Sequence, residues 1–255
     1  MSIDYLQNFI DYYFMSKKAN NRSNRKLWFR ILCTFLKLFV HKKEYIFLGD
    51  NPNDSQPFIL FTNHVGSNGP ISHELYAPFK FRFWGTYEMT DKLSVCYKYF
   101  TEIYLHNKKK MNLKLAKFLG ALAIPFVRIF YRGMKLIPTY TDINLMKSIS
   151  LSLKSLSTGE NLIIFPEDSH DGYHDHLTGY FGGGFLAADQ YCKKFNKDIV
   201  LYNAYLIKKQ NIVVVDKGIP FSQLKATYGN DFQAMADEFC RRANELGDLY
   251  RNKTK

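Results

Sequence analysis

The sequence predicts an α/β fold: a central, mostly parallel sheet flanked by helices, with an N-terminal helical hairpin. Three observations carry this. Short apolar runs of strand length alternate with segments of helical length from residue 44 onward. Residues 142–157 repeat with a helical period, Leu145, Ile149, Leu153 and Leu156 forming one stripe with Gly159 just beyond its end. The 255-residue chain, 46% hydrophobic and 23% charged, is also long enough to close a core without disulfides or a structural metal.

In chain order, residues 3–16 read as an aromatic-rich helix, 17–26 as a polar, basic turn and 27–40 as a second helix. Tyr45 to Leu48 and Phe58 to Phe61 have strand length, separated by the turn signal Asn51-Pro52-Asn53-Asp54. Pro70 suits the first position of a short helix over 71–76. Phe81 to Trp84 reads as a strand, 91–102 and 111–131 as helices, Lys135 to Pro138 as a short strand and 142–157 as a helix. Asn161 to Phe165 reads as a buried strand, 182–195 as a helix opening on three glycines, and Ile199 to Ile207 and Ile212 to Val215 as strands. A helix over 231–250 ends the chain.

The charge is strongly basic, 35 Lys and Arg against 23 Asp and Glu, and predicts an anionic partner. It is concentrated in two blocks, residues 1–43 with a net of +7 and residues 105–141 with +8. Each block contains an apolar stretch; in the first, Trp28, Phe29, Phe35, Leu38 and Phe39 lie among cations, the pattern of a helix resting on anionic lipid. Neither stretch is long enough to span a bilayer. No nucleic-acid recognition pattern is present, so no nucleic-acid partner is expected. Four scattered cysteines without a CxxC pair, and a start lacking a signal-peptide apolar region, suit reduced thiols in the cytosol.

Two segments have the residue types and the setting for chemistry. In Phe61-Thr62-Asn63-His64-Val65-Gly66-Ser67-Asn68-Gly69-Pro70 a strand opens into a loop bearing a histidine; small residues beside it, Ser67 among them, leave room for a substrate. In Phe165-Pro166-Glu167-Asp168-Ser169-His170 a second strand ends in a kinked acidic turn. The following His174 and His176, with His170, Asp171 and Asp175, match no zinc spacing, and no metal is expected. A third piece, Gly133 to Pro138, closes the basic block.

The order and spacing of these pieces resemble the glycerolipid acyltransferases, the superfamily that includes bacterial 1-acylglycerol-3-phosphate acyltransferase. Asn63 and His64 match the first motif, Gly133, Ile137 and Pro138 the second, and Phe165, Pro166, Glu167 and Ser169 the third, with Phe181 and Gly184 following. The resemblance spans about residues 44–220. It implies acyl transfer from acyl-CoA or acyl carrier protein to a hydroxyl of a lyso-glycerolipid, in phospholipid synthesis, with no further cofactor. His64 is then the general base, with Phe165, Pro166, Glu167 and Ser169 holding the acceptor. With the basic, apolar 1–43 read as a membrane-contact segment and 44–255 as the acyltransferase-like domain, the protein is expected to lie peripherally on the cytoplasmic face of a membrane.

This sequence departs from the family pattern at three places. The aspartate expected five residues after His64 is Gly69, which, ahead of Pro70, suits a tight turn that aspartate would strain. Asn68, Glu74 and Asp168 are the candidates to support His64 instead. The arginine expected after Pro138 is missing, which leaves Lys135 as the candidate phosphate ligand, and the third-motif glycine is Asp168.

Overall fold

The structure is a computed structural model that describes residues 25–52, 56–140, 142–169 and 172–251. The first helix of the expected hairpin therefore lies outside the described residues. Those residues form an eight-stranded sheet ordered β1-β7-β6-β2-β5-β3-β4, with β8 alongside β6. The strands are β1 (Glu44–Phe47), β2 (Phe58–Thr62), β3 (Phe81–Thr86), β4 (Ile137–Thr139), β5 (Asn161–Ile164), β6 (Val200–Ile207), β7 (Ile212–Val215) and β8 (Ile219–Pro220). Pairings are parallel except those of β6 with β7 and β8, so the expected mostly parallel α/β sheet is what forms.

β2 is apolar at consecutive positions because both faces of the sheet are covered. Ile59 and Phe61 join the core with Phe185 and Phe239, and Phe58 and Leu60 the opposite core with Phe83 and Ile163. The helices covering the sheet are α1 (Leu27–Leu36), α2 (Asn68–Tyr76), α3 (Leu93–Lys98), α4 (Leu113–Met134), α5 (Leu145–Ser157), α6 (Gly183–Phe195), α7 (Phe221–Tyr228) and α8 (Phe232–Arg251). Three features depart from the sequence-based expectation. α3 runs on into a π-helical segment, Tyr99–Lys108. Lys135 adopts the left-handed region (φ 52°) as the C-cap of α4, so β4 starts two residues later than expected. β8 and α7 carry too short a pattern to read from sequence.

α1 belongs to the same core as the sheet. Phe29 is fully buried in it, which removes it from the expected lipid-facing set, whereas Trp28, Phe35, Leu38 and Phe39 are exposed. The Arg25 guanidinium grips the Glu74 carboxylate of α2 through two 2.9 Å hydrogen bonds in a buried fork. Breaking such a pair leaves a buried charge uncompensated. The second-motif glycine has a packing role here: a Cβ on Gly133 would lie 1.9 Å from the Phe29 ring. Gly133→Ala is therefore expected to cost about 1–3 kcal/mol by forcing α1 off α4. A thermal melt checks it, and an unchanged Tm would mean that α1 is not clamped there.

Candidate active site

β2 and β5 are parallel neighbours, Phe61 facing Ile164 in register, so the segments leaving their carboxyl ends emerge side by side. That is where an α/β sheet presents ligands. It brings the histidine of the first motif onto the Phe-Pro-Glu of the third. Glu167 ties the two together: its Oε2 accepts the backbone N–H of His64 at 2.9 Å. Burial raises the Glu167 pKa, and the His64 N–H opposes that rise by favouring the carboxylate. Backbone torsion is concentrated beside the histidine, with Val65 at φ 47° and Gly66 at φ 62°. A β-branched residue in that region costs on the order of 1–3 kcal/mol and persists only where neighbours enforce it.

The His64 imidazole lies between two rings. Phe165 is 4.8 Å away, centroid to centroid and tilted, and Tyr173 stacks on it at 4.8 Å. Loss of hydration lowers the His64 pKa to about 4, the cations of Lys108 and Lys109 push in the same direction, and the Gly66 carbonyl opposes them. At neutral pH the ring is thus uncharged, the state a general base needs.

Two recesses meet at Tyr99. One is a cavity of about 700 Å³, walled by α1, α4 and β3, with His64 and Ser67 in its lining and Phe35 and Phe126, both largely exposed, also lining it. The other is a cleft of about 910 Å³, lined by Glu167, Asp168, Ser169 and, from the π-helical segment, His106 and Lys108, with Lys110 just beyond it. Lys108 Nζ donates to Ser169 Oγ at 2.6 Å. An apolar cavity lined by an uncharged histidine, beside a polar cleft that carries Lys108 and Lys110 together with Glu88, Glu167 and Asp168, suits an amphiphile with an acyl chain and a polar head.

The structure distributes the expected site residues unevenly. Phe165, Glu167, Ser169 and Ser67 line one recess or the other, and Pro166 anchors the turn through its carbonyl, which accepts the Phe181 N–H at 2.8 Å. The candidates to support His64 do not reach it. Glu74 is bound by Arg25, the Asn68 amide donates back to the Val65 carbonyl at 3.5 Å, and Asp168 is exposed in the cleft. Lys135 is exposed, and its carbonyl, not its amine, is the group in use, accepting from Arg82. Lys108 and Lys109 stand near His64 in its place. The run Lys108-Lys109-Lys110 was the available signal, but read as one basic block it pointed to lipid. Tyr173, inside the histidine-rich loop, carried no signal that it covers His64. Among the described residues no cluster of metal-ligating side chains occurs.

No protein-family model matches the sequence, and no curated protein matches it. The fold does match a solved structure, the 1-acyl-sn-glycerophosphate (LPA) acyltransferase PlsC from Thermotoga maritima. The TM-score is 0.52 at 11% identity, over 98% of this chain and 90% of that one. At that identity the likeness shows the fold: this chain has an acyltransferase-like α/β fold.

Proposed function

We propose that the protein is an acyltransferase that moves a fatty acyl group from acyl-CoA or acyl carrier protein to a hydroxyl of a lysophospholipid or related glycerolipid. The observation that carries this is the uncharged His64 lining an apolar cavity, its backbone N–H held by Glu167, which lines the neighbouring lysine-bearing cleft. His64 takes the proton of the acceptor hydroxyl as its oxygen bonds to the thioester carbonyl carbon. The C–S bond then breaks, and the thiol leaves with the proton that the imidazolium returns. The acyl chain occupies the cavity, and Lys108 and Lys109 face the anionic head, as point charges without the bidentate fork of an arginine.

The same reading places the protein on an anionic membrane surface. Among the described residues no helix is long and apolar enough to cross a membrane. α1 and α4 nonetheless expose Trp28, Ile31 and Phe35, and Phe118, Leu122 and Phe126, with Lys26, Arg30 and Lys114 exposed nearby in the chain. Phe35 and Phe126 also line the cavity, which gives a lipid chain an entry from the membrane side. Replacing Lys26, Arg30 and Lys114 by glutamine is expected to weaken partitioning onto anionic vesicles roughly 10²-fold, at about 1 kcal/mol per cation. Arg25, buried on Glu74, is left intact. Vesicle sedimentation unchanged in the mutant and at high salt would mean that α1 and α4 do not meet lipid.

Turnover with mixed lyso-lipids and acyl thioesters tests the reaction itself. A second reading, a lipid-binding relative without turnover, draws on the Tyr173 ring stacked over His64. Bound lipid found by mass spectrometry without ester formation would select it.

A further inference from the structure

Any base reaction at His64 raises the question of what fixes its ring. A base acting through Nε2 must carry its hydrogen on Nδ1, and the Nδ1 hydrogen needs an acceptor. His64 Nδ1 is buried and has no hydrogen-bond partner. His73 Nε2, on α2, is buried and also has none. Both rings pack on Phe165, at 4.8 Å and 5.9 Å between centroids, and each lies within electrostatic reach of the other. The opposite nitrogen of His73, Nδ1, is 2.5 Å from the Tyr45 hydroxyl of β1.

We infer that Tyr45 and His73 form the positioning pair for His64, in the place where the resembling family uses a carboxylate. This deepens the acyltransferase reading and rests on it for its catalytic meaning. His73 Nδ1–H donates to the Tyr45 oxygen, which leaves the Nε2 lone pair free to accept. In this arrangement a water that donates to His73 Nε2 and accepts from His64 Nδ1–H gives both buried nitrogens a partner. The arrangement fixes the tautomer of His64 as a second-layer carboxylate does elsewhere, but without a buried negative charge. The groups facing His64 are Lys108 and Lys109 at the end of the π-helical segment, Glu167 and Tyr173 from the turn after β5, and the Gly66 carbonyl of its own loop, which completes no hydrogen bond with Nδ1; His73 faces Tyr45 and His64. The two lysines disfavour a charged His64, so a neutral acceptor is enough to hold the reactive form.

The test uses full-length protein labelled with [15N]histidine, in which ring-nitrogen shifts report the His64 tautomer, alongside kcat and KM. His73→Leu removes the acceptor; His73→Gln returns one through its amide oxygen; Tyr45→Phe releases His73 Nδ1. In the wild type and His73→Gln, His64 holds its hydrogen on Nδ1. In His73→Leu it becomes a tautomer mixture, and kcat falls about tenfold or more, part of the 10²–10⁴ of a positioned base, with KM little changed. Tyr45→Phe moves the His73 shifts first and those of His64 with them. Because His73 is fully buried, melting curves accompany each variant; if His73→Leu does not fold, Tyr45→Phe decides through the same resonances. Folded variants with His64 shifts and kcat as in the wild type overturn the pairing. If the wild type turns over no lyso-lipid, the acyltransferase reading falls while the shifts still decide whether the three residues are coupled.

Discussion

His64→Ala is expected to lower acyl transfer by about 10²–10⁴-fold, the usual contribution of a positioned general base. Its effect on folding should be small, because the imidazole lines a cavity and its removal only enlarges a space already present. The backbone N–H of residue 64, which Glu167 accepts, survives the substitution and keeps the loop in place. The loss should fall on kcat, since the proposed head-group ligands Lys108 and Lys109 are left in place. The pH profile supplies an independent check. A base with pKa lowered to about 4 is deprotonated above that value, so kcat/KM should be flat from about pH 6 to 8 and fall only toward pH 4. An acid limb centred near 6.5 would mean that the ring is hydrated in solution. Retention of more than about a tenth of the wild-type rate by His64→Ala would remove the histidine from the reaction.

Gly69→Asp has the next largest expected effect, and its sign separates two readings of the site. If the site lacks only the aspartate that the resembling family carries at this position, adding it should raise turnover. The structure leaves no room for that. A Cβ on residue 69 would lie 2.2 Å from the His64 carbonyl oxygen and 3.2 Å from the Phe165 ring. Gly69 N–H also donates to that carbonyl at 3.1 Å. Any side chain here must push the His64 backbone away from Glu167 and unseat the imidazole from Phe165. A displacement of about 1 Å in a catalytic group is enough to cost about 10²-fold. Gly69→Asp is therefore expected to fall at least that far and to melt earlier, with Gly69→Ala following the same direction. The reason differs from the tight turn that the sequence suggests: Gly69 lies in α2 without a positive φ, and the left-handed residues are Val65 and Gly66. Higher turnover in Gly69→Asp would show that the loop yields and that a carboxylate is what the site lacks.

The strands, most helices and the two segments that meet at the site were legible in the sequence because each is set by local rules. β2 and β5 announce themselves as apolar runs, α5 by its leucine stripe, and His64 and Glu167 by standing just past strand ends. What surrounds His64 was not legible. Tyr45 comes from β1, His73 from α2, Lys108 from the π-helical segment and Tyr173 from the turn after β5; no periodicity relates them. Glu74 shows how adjacency in sequence misleads: it is next to His73, yet Arg25, 49 residues away, holds it in a buried fork where an unpaired carboxylate would be costly. Lys135 failed for a similar reason, since its left-handed backbone makes it a helix cap and turns its amine to solvent. By itself the sequence determined the α/β class, the place of most strands and helices and the histidine at the mouth of a strand, because burial marks each element with a local run or stripe of apolar residues. Which side chains converge on that histidine was decided only when parallel strands, joined by long crossovers, set segments far apart in the chain side by side.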